Sequence, residues 1–268
     1  MEVFFCRLAH LFRSWDRKAK SMLKDLTYLM LLLTLFSCNR PTERMEGYEV
    51  HGIDISHHQQ SIDWTQVALQ NIDFAFIKAT EGADHQDSLF CVNWPAIKLN
   101  QIKRGAYHFF RPATNPDQQF LNFATYVDLE PGDLAPVLDV EVTDGVSEET
   151  LRENVKRWLQ LAEVHYQVKP ILYTNQKFYN RHFAGHFDDY TLWIARYNPW
   201  FSPWLKGKNN WAFWQYGNRG SLPGIQGDVD FNVFTGSLQE LESCCLLPDK
   251  NLVSDPHPAP EISGVSAP

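Results

Sequence analysis

Ala135-Pro136-Val137-Leu138-Asp139-Val140-Glu141-Val142 reads as a short buried strand, apolar and β-branched, that carries two carboxylates two positions apart. Strand side chains alternate between faces, so Asp139 and Glu141 share one face while Leu138, Val140 and Val142 take the other. Two acids side by side on a hydrophobic strand raise each other's proton affinity. A carboxyl kept protonated near neutral pH is the general acid that cleavage of a glycosidic bond requires. An ion-paired strand end is the bland alternative, and the surrounding sequence decides between the two.

On both sides of this segment the pattern alternates strand and helix, which implies an α/β protein with a parallel sheet and crossover helices. Strands are predicted over 50–56, 74–80, 105–110, 136–142, 170–174, 192–197, 211–216 and 229–234. The clearest helix spans 147–167. Ser147 can cap it, Glu148 and Glu149 complement its dipole, and Leu151, Val155, Trp158, Leu159 and Ala162 recur at core spacing. After Tyr197 the helices largely stop. Eight strands with helices mainly in the first five connections describe an incomplete (β/α) barrel of modified TIM type, whose chemistry belongs at the C-terminal strand ends.

The 268 residues suit one such barrel, and the net charge of −8 without a basic stripe excludes nucleic acid as a partner. Nine Trp, ten Tyr and eighteen Phe can fill a core and also offer flat platforms to sugars. The five cysteines (Cys6, Cys38, Cys91, Cys244, Cys245) form no regular disulfide framework and no CxxC pair, so neither a metal nor a cofactor is expected. The apolar run 26–36 follows Lys18, Lys20 and Lys24 and precedes Ser37-Cys38-Asn39-Arg40. This marks residues 1–38 as a secretory signal, too short for a comfortable membrane span. Leu35-Phe36-Ser37-Cys38 resembles a bacterial lipobox, which makes Cys38 a lipidation candidate and places the protein in the cell envelope, tethered to a periplasmic or outer-membrane face; an uncleaved anchor is the other reading. Met22 is a neater start than Met1. Residues 39–48 read as a polar linker, 49–245 as the catalytic barrel, and 246–268, rich in proline, as a disordered tail.

Two more strand ends carry acids. Asp54 in His51-Gly52-Ile53-Asp54-Ile55-Ser56 shares a face with Gly52 and Ser56, and Asp228, Asp230 and Asn232 alternate on one face of the last strand. Together with Phe76-Ile77-Lys78-Ala79-Thr80-Glu81-Gly82, Gly105-Ala106-Tyr107-His108-Phe109, Pro136 to Glu141, Leu172-Tyr173-Thr174-Asn175, Leu192-Trp193-Ile194-Ala195-Arg196-Tyr197, Trp214-Gln215-Tyr216 and Val229-Asp230-Phe231-Asn232, these segments fall in one order over residues 50–240. In that order the chain resembles the glycoside hydrolase family 25 lysozymes, N-acetylmuramidases of bacteria and phages. The resemblance implies a (β/α)5(β)3 barrel and hydrolysis of the β-1,4 bond between N-acetylmuramic acid and N-acetylglucosamine, with glycan strands as partner and a monomer as the working unit. It aligns Glu141 with the family's catalytic acid and Asp54, Asp139 and Asp230 with its other active-site carboxylates; Asp230 is preferred to Asp228 because it stands two before an Asn.

Position suggests the roles. Glu141 protonates the leaving oxygen, Asp139 tunes it, and Asp54 faces it across the mouth, stabilising an oxocarbenium-like state, activating water or orienting an N-acetyl group. Tyr107, Trp193, Tyr197, Trp214 and Gln215 are candidate substrate contacts, as is Arg196, which could instead pair with an acid. Lys78 and Glu81 can form an ion pair. His57 and His58, adjacent on a predicted strand end, would point apart and not share a metal. Two other readings compete: a carbohydrate-binding barrel without catalysis, disfavoured because all four carboxylates are present, and a chitinase-like barrel, disfavoured because Val137 stands where an Asp-x-Asp-x-Glu run needs its first Asp.

Overall fold

A sheet that closes on itself leaves no strand edge unpaired, and the apolar runs of this chain are used in that way. The computed structural model describes residues 43–248 apart from 199, 208 and 209, together with Lys24. The signal segment, Cys38 and the tail beyond residue 248 lie outside the described residues. Strands β1 (Val50–Ile55), β2 (Phe74–Glu81), β4 (Lys103–Phe109), β5 (Val137–Asp139), β6 (Ile171–Asn175), β7 (Thr191–Ala195), β8 (Phe213–Gly220) and β9 (Val229–Phe234) form the cylinder. A two-residue strand, β3 (His85–Gln86), folds back on the end of β2. Neighbours run parallel from β1 through β8. The last strand, β9, runs antiparallel to both β8 and β1 and completes the wall.

Direction follows from the connections. Parallel neighbours need a crossover, and helices α1 (Trp64–Ala68), α2 (Phe90–Leu99), α3 (Pro116–Tyr126), α4 (Glu148–Tyr166) and the short α5 (Gln176–Phe178) supply the first five. Between β8 and β9 there is only a loop, with Gly224 and Gly227 at positive φ, and the chain simply turns back. The result is the (β/α)5(β)3 barrel that the pattern predicts. The predicted 147–167 helix appears as α4, with the Ser147 hydroxyl accepting from Thr150 N–H and Gln167 ending it in the left-handed region. Its Leu151, Val155, Trp158, Leu159 and Ala162 are fully buried against the outside of the barrel.

The inside of the barrel is aromatic. Phe76 stacks on Trp193 at 4.3 Å, Tyr173 leans on the same indole at 4.4 Å, and Phe74, Phe213 and Phe234 fill the lower layer. Rings of this size fit because facing strands give up side chains: a Cβ on Gly52 would sit 2.4 Å from the Phe74 ring, and one on Gly105 2.6 Å from Phe76.

Three expectations change. The central strand ends at Asp139, not Val142, because the chain turns through Asp144 and Gly145 at positive φ. The ladder nevertheless runs one residue further, Val140 N–H donating to the Tyr173 carbonyl at 3.0 Å and its carbonyl accepting from Thr174 Oγ1. His57 and His58 lie in a 3-10 turn and not on a strand, so their rings are neighbours, 4.1 Å apart, instead of pointing to opposite faces. The linker's last residues are packed on the barrel: Arg44 donates to the Gln70 and Asn71 carbonyls, and Met45 N–H to the Tyr216 hydroxyl at 3.2 Å.

Candidate active site

Strand ends fix where the carboxylates meet. Asp54 near the end of β1 lies directly opposite Asp230 of β9 in the antiparallel register. Asp139 ends β5, and Glu141 follows where the extended backbone carries it to the same side. All four line one pocket of about 230 Å3 at the C-terminal end of the parallel strands, with Tyr107, Phe109, Tyr173, Trp193, Tyr197 and Gln215 among its walls. Asp228, the alternative in the last strand, is exposed.

Burial and crowding raise the proton affinity of every member. Asp139 is 5% exposed, and its Oδ1 has no hydrogen-bond partner. Burial, then the charges of Glu141 and Asp54, push its carboxyl well above the usual range. Burial also raises Glu141. On the other side, burial and then the facing Asp230 raise Asp54 well above the usual range. Asp230 is pushed up to about 7 by burial and by the charges of Glu141 and Asp228, while a hydrogen bond with Asp54 works against the rise. Like charges this close cannot all ionise. The site is two carboxyl pairs, Asp139/Glu141 and Asp54/Asp230, and in each the shifts favour the protonated form.

Asp54 is also held by orientation. Its Oδ2 accepts from Gln215 Nε2 at 2.8 Å and from Asn232 Nδ2 at 2.7 Å. The donor-only Trp193 indole sets the Asn232 amide. The Trp193 indole, which can only donate, gives its Nε1–H to Asn232 Oδ1 at 2.8 Å. The Tyr173 and Tyr197 hydroxyls donate to Gln215 Oε1 at 2.8 and 3.0 Å. The Asn232 NH2 is therefore turned toward Asp54, and with the Gln215 NH2 beside it Oδ2 is the accepting oxygen, which leaves Oδ1 as the place for a proton.

Among the other residues predicted for the site, Tyr107, Trp193, Tyr197 and Gln215 reach the pocket. Tyr107 and Phe109 face inward, while His108 and Phe110 pack outside the barrel. Lys78 lines the pocket and pairs with Glu81 at 2.7 Å. Arg196 and Trp214 do not reach it. The Arg196 guanidinium donates to the Ser202 carbonyl at 2.6 Å and to Gln176 Oε1 at 3.2 Å, and so braces a loop without meeting an acid among the described residues. Trp214 points out of the barrel, buried, its Nε1–H on the Arg196 carbonyl. Alternation explains the miss, since Gln215 faces in and its neighbour must face out. His57 donates to or accepts from buried Asp87 through Nδ1 at 2.8 Å. Sequence reading missed Tyr173, taken as an ordinary strand residue, and gave Asn232 no role. Both signals were present as polar groups on the same inward face as the acids.

Comparison with known proteins places this geometry. The family profile described as glycosyl hydrolases family 25 matches residues 53–225, a span that includes Asp54, Asp139 and Glu141 and stops before Asp230. The chain is 40% identical over 206 residues to the Escherichia coli K12 protein YegX, covering 74% of each. It is 33% identical to lysozyme M1 of Streptomyces globisporus, covering 72% of this chain and 70% of that one. A solved family 25 glycosyl hydrolase from Bacillus anthracis superposes with a TM-score of 0.72 at 33% identity, over 77% of this chain and 98% of its own. The chain belongs to family 25 of the glycosyl hydrolases and is a glycoside hydrolase of the lysozyme type.

Proposed function

We propose that this protein is an exported lysozyme that cleaves the β-1,4 bond between N-acetylmuramic acid and N-acetylglucosamine in peptidoglycan, with Glu141 as the general acid. One observation carries the assignment: Glu141 is the partly exposed member of a carboxyl pair whose other member, Asp139, is buried behind it. A pair that shares a proton can present it through the member that meets substrate. Glu141 delivers the proton to the glycosidic oxygen as the bond breaks, and that proton leaves on the departing sugar's hydroxyl; a water then adds its oxygen to the anomeric carbon, and the proton it releases restores the Asp139/Glu141 pair. Positive charge then develops at the anomeric carbon. Asp54, fixed by two amide donors on Oδ2, turns its remaining oxygen toward that charge, and Asp230 takes up the proton the two share. Tyr107, Trp193 and Tyr197 give the sugar its walls.

Glu141→Gln keeps the shape of the side chain and removes the acid. Purified peptidoglycan incubated with this variant should release no fragments above background while the protein melts no lower than wild type. Wild-type fragments should carry muramic acid at the reducing end. Clearing by the variant, or reducing-end glucosamine, rejects the assignment.

Action on the wall places the catalytic barrel outside the cytoplasm, and we propose that the basic and apolar N-terminal segment directs export, with lipid attached at Cys38. Among the described residues no helix is long and apolar enough to cross a membrane. On this reading Cys38→Ala moves the protein from the membrane fraction to the soluble one; a variant that still sediments with membranes excludes the lipid tether.

A further inference from the structure

Four aromatic rings stand in water within eight positions of one another. Tyr197, Trp200, Phe201 and Trp204 are 54%, 86%, 65% and 64% exposed, and among the described residues the one other exposed large aromatic is Tyr126. They follow β7, at the barrel end that carries the carboxylates. The loop that bears them is braced. Arg196 holds the Ser202 carbonyl, Gln176 Oε1 takes the Trp204 N–H at 3.0 Å, and Asn180 bonds both the Trp204 carbonyl and the Lys206 N–H. Trp211 Nε1–H is tied to the Pro203 carbonyl at 3.0 Å. The backbone's polar groups are thus used inward, and the rings are held outward with their faces free. Exposed apolar patches of this kind mark interaction surfaces.

We propose that Trp200, Phe201 and Trp204 form a second binding surface, outside the catalytic pocket, on which further sugars of the glycan strand lie. Three facts favour this occupant. Tyr197 belongs to both surfaces: it lines the pocket, donates to Gln215, and begins the exposed run. Three residues on, the Cα of Trp200 lies at most about 11 Å from that of Tyr197, roughly the reach of a neighbouring sugar. A pocket of about 230 Å3 admits only part of a polymer, so the remaining sugars must rest on the rim. Flat, uncharged rings suit the C–H faces of pyranoses, whereas a net charge of −8 disfavours an anionic membrane.

The inference rests on the peptidoglycan reading, and the test separates the two. In the Glu141→Gln background, which holds substrate without cleaving it, binding is measured to insoluble peptidoglycan and to a soluble muramic acid–glucosamine disaccharide. Replacing Trp200 and Trp204 by Ala should weaken binding to peptidoglycan by roughly tenfold or more, as truncated aromatic hot spots do. The disaccharide affinity should fall by much less, and Phe at both positions should restore most of the loss. Unchanged affinity for peptidoglycan overturns the inference, as does an equal fall for both ligands. Loss of binding to phosphatidylglycerol-containing vesicles, with peptidoglycan binding retained, overturns it in favour of a membrane surface. If the parent with Glu141 intact neither binds nor cleaves peptidoglycan, it is the proposed function that fails.

Discussion

At the scale of single residues, the site depends on polar groups that bond to other protein groups and thereby orient the acids. Trp193 is the clearest case. Its ring lines the pocket, but its N–H is what decides that Asn232 turns an amide NH2, and not a carbonyl, toward Asp54. Trp193→Phe keeps the ring and deletes the donor. Asn232 can then flip, and a carbonyl facing Asp54 would favour its protonated form. The expected result is a fall in kcat of roughly tenfold to a hundredfold, the scale of losses when an orienting partner is removed. The pH profile should move with it, because Asp54 titrates higher. A variant with lower thermal stability but wild-type kcat and pH profile would reduce Trp193 to packing. The acids themselves were legible from period-two alternation on three strands. The amide network was not, because its bonds join residues from 18 to 178 positions apart in sequence, and no local pattern announces that Tyr173 will meet Gln215 or Trp193 will meet Asn232.

At the scale of elements, most of the architecture could be read because local and global preferences agree. Helix α4 has its cap, its dipole-matched acids and its core stripe in sequence, and its ends fall where those signals put them. The central strand was read too long for the opposite reason. Val140 and Val142 are good strand residues, but the strand ends at Asp139, Glu141 is left half-buried at the pocket, and the Asp144-Gly145 turn takes the chain away. The connection from β7 to β8 was legible as lacking a helix, but its bracing was not. It has neither helical nor strand period, and its order comes from side-chain bonds contributed by Arg196, Gln176 and Asn180, two of them from the preceding βα unit. Trp214 and Arg196 sit in family-like motifs that offer them as substrate contacts, with core packing and an ion pair as their respective alternatives. Alternation across β8 and the bracing of this loop give them structural work instead.

At the scale of the whole molecule, the carboxyl cluster sets how stability responds to pH. A carboxyl whose pKa is higher folded than unfolded binds its proton more tightly in the native state, so it lends stability that is fully present below the unfolded value and is lost as pH rises through the folded one. For Asp230 the window runs from the ordinary 3.8 to about 7, and Asp54, Asp139 and Glu141 act in the same direction. His108 opposes them. Burial outside the barrel lowers its pKa from 6.5 to about 4, against the bond of Nε2 to Gln119 Oε1, which raises it, and the stability it lends disappears as pH falls through that range. The melting temperature should therefore pass through a maximum on the acid side of neutrality and decline as the pairs lose their shared protons. Asp230→Asn isolates the effect, since an amide cannot ionise. Relative to wild type, this variant should melt higher at about pH 8, with the gain shrinking toward about pH 5, where the wild-type group is already protonated. Its hydrolysis of peptidoglycan should fall at both values, which is the trade of stability against activity expected where like charges are kept together for chemistry. A gain that does not change with pH, or none at all, would falsify the shared-proton account and leave the crowding of four acids in one pocket without its thermodynamic consequence.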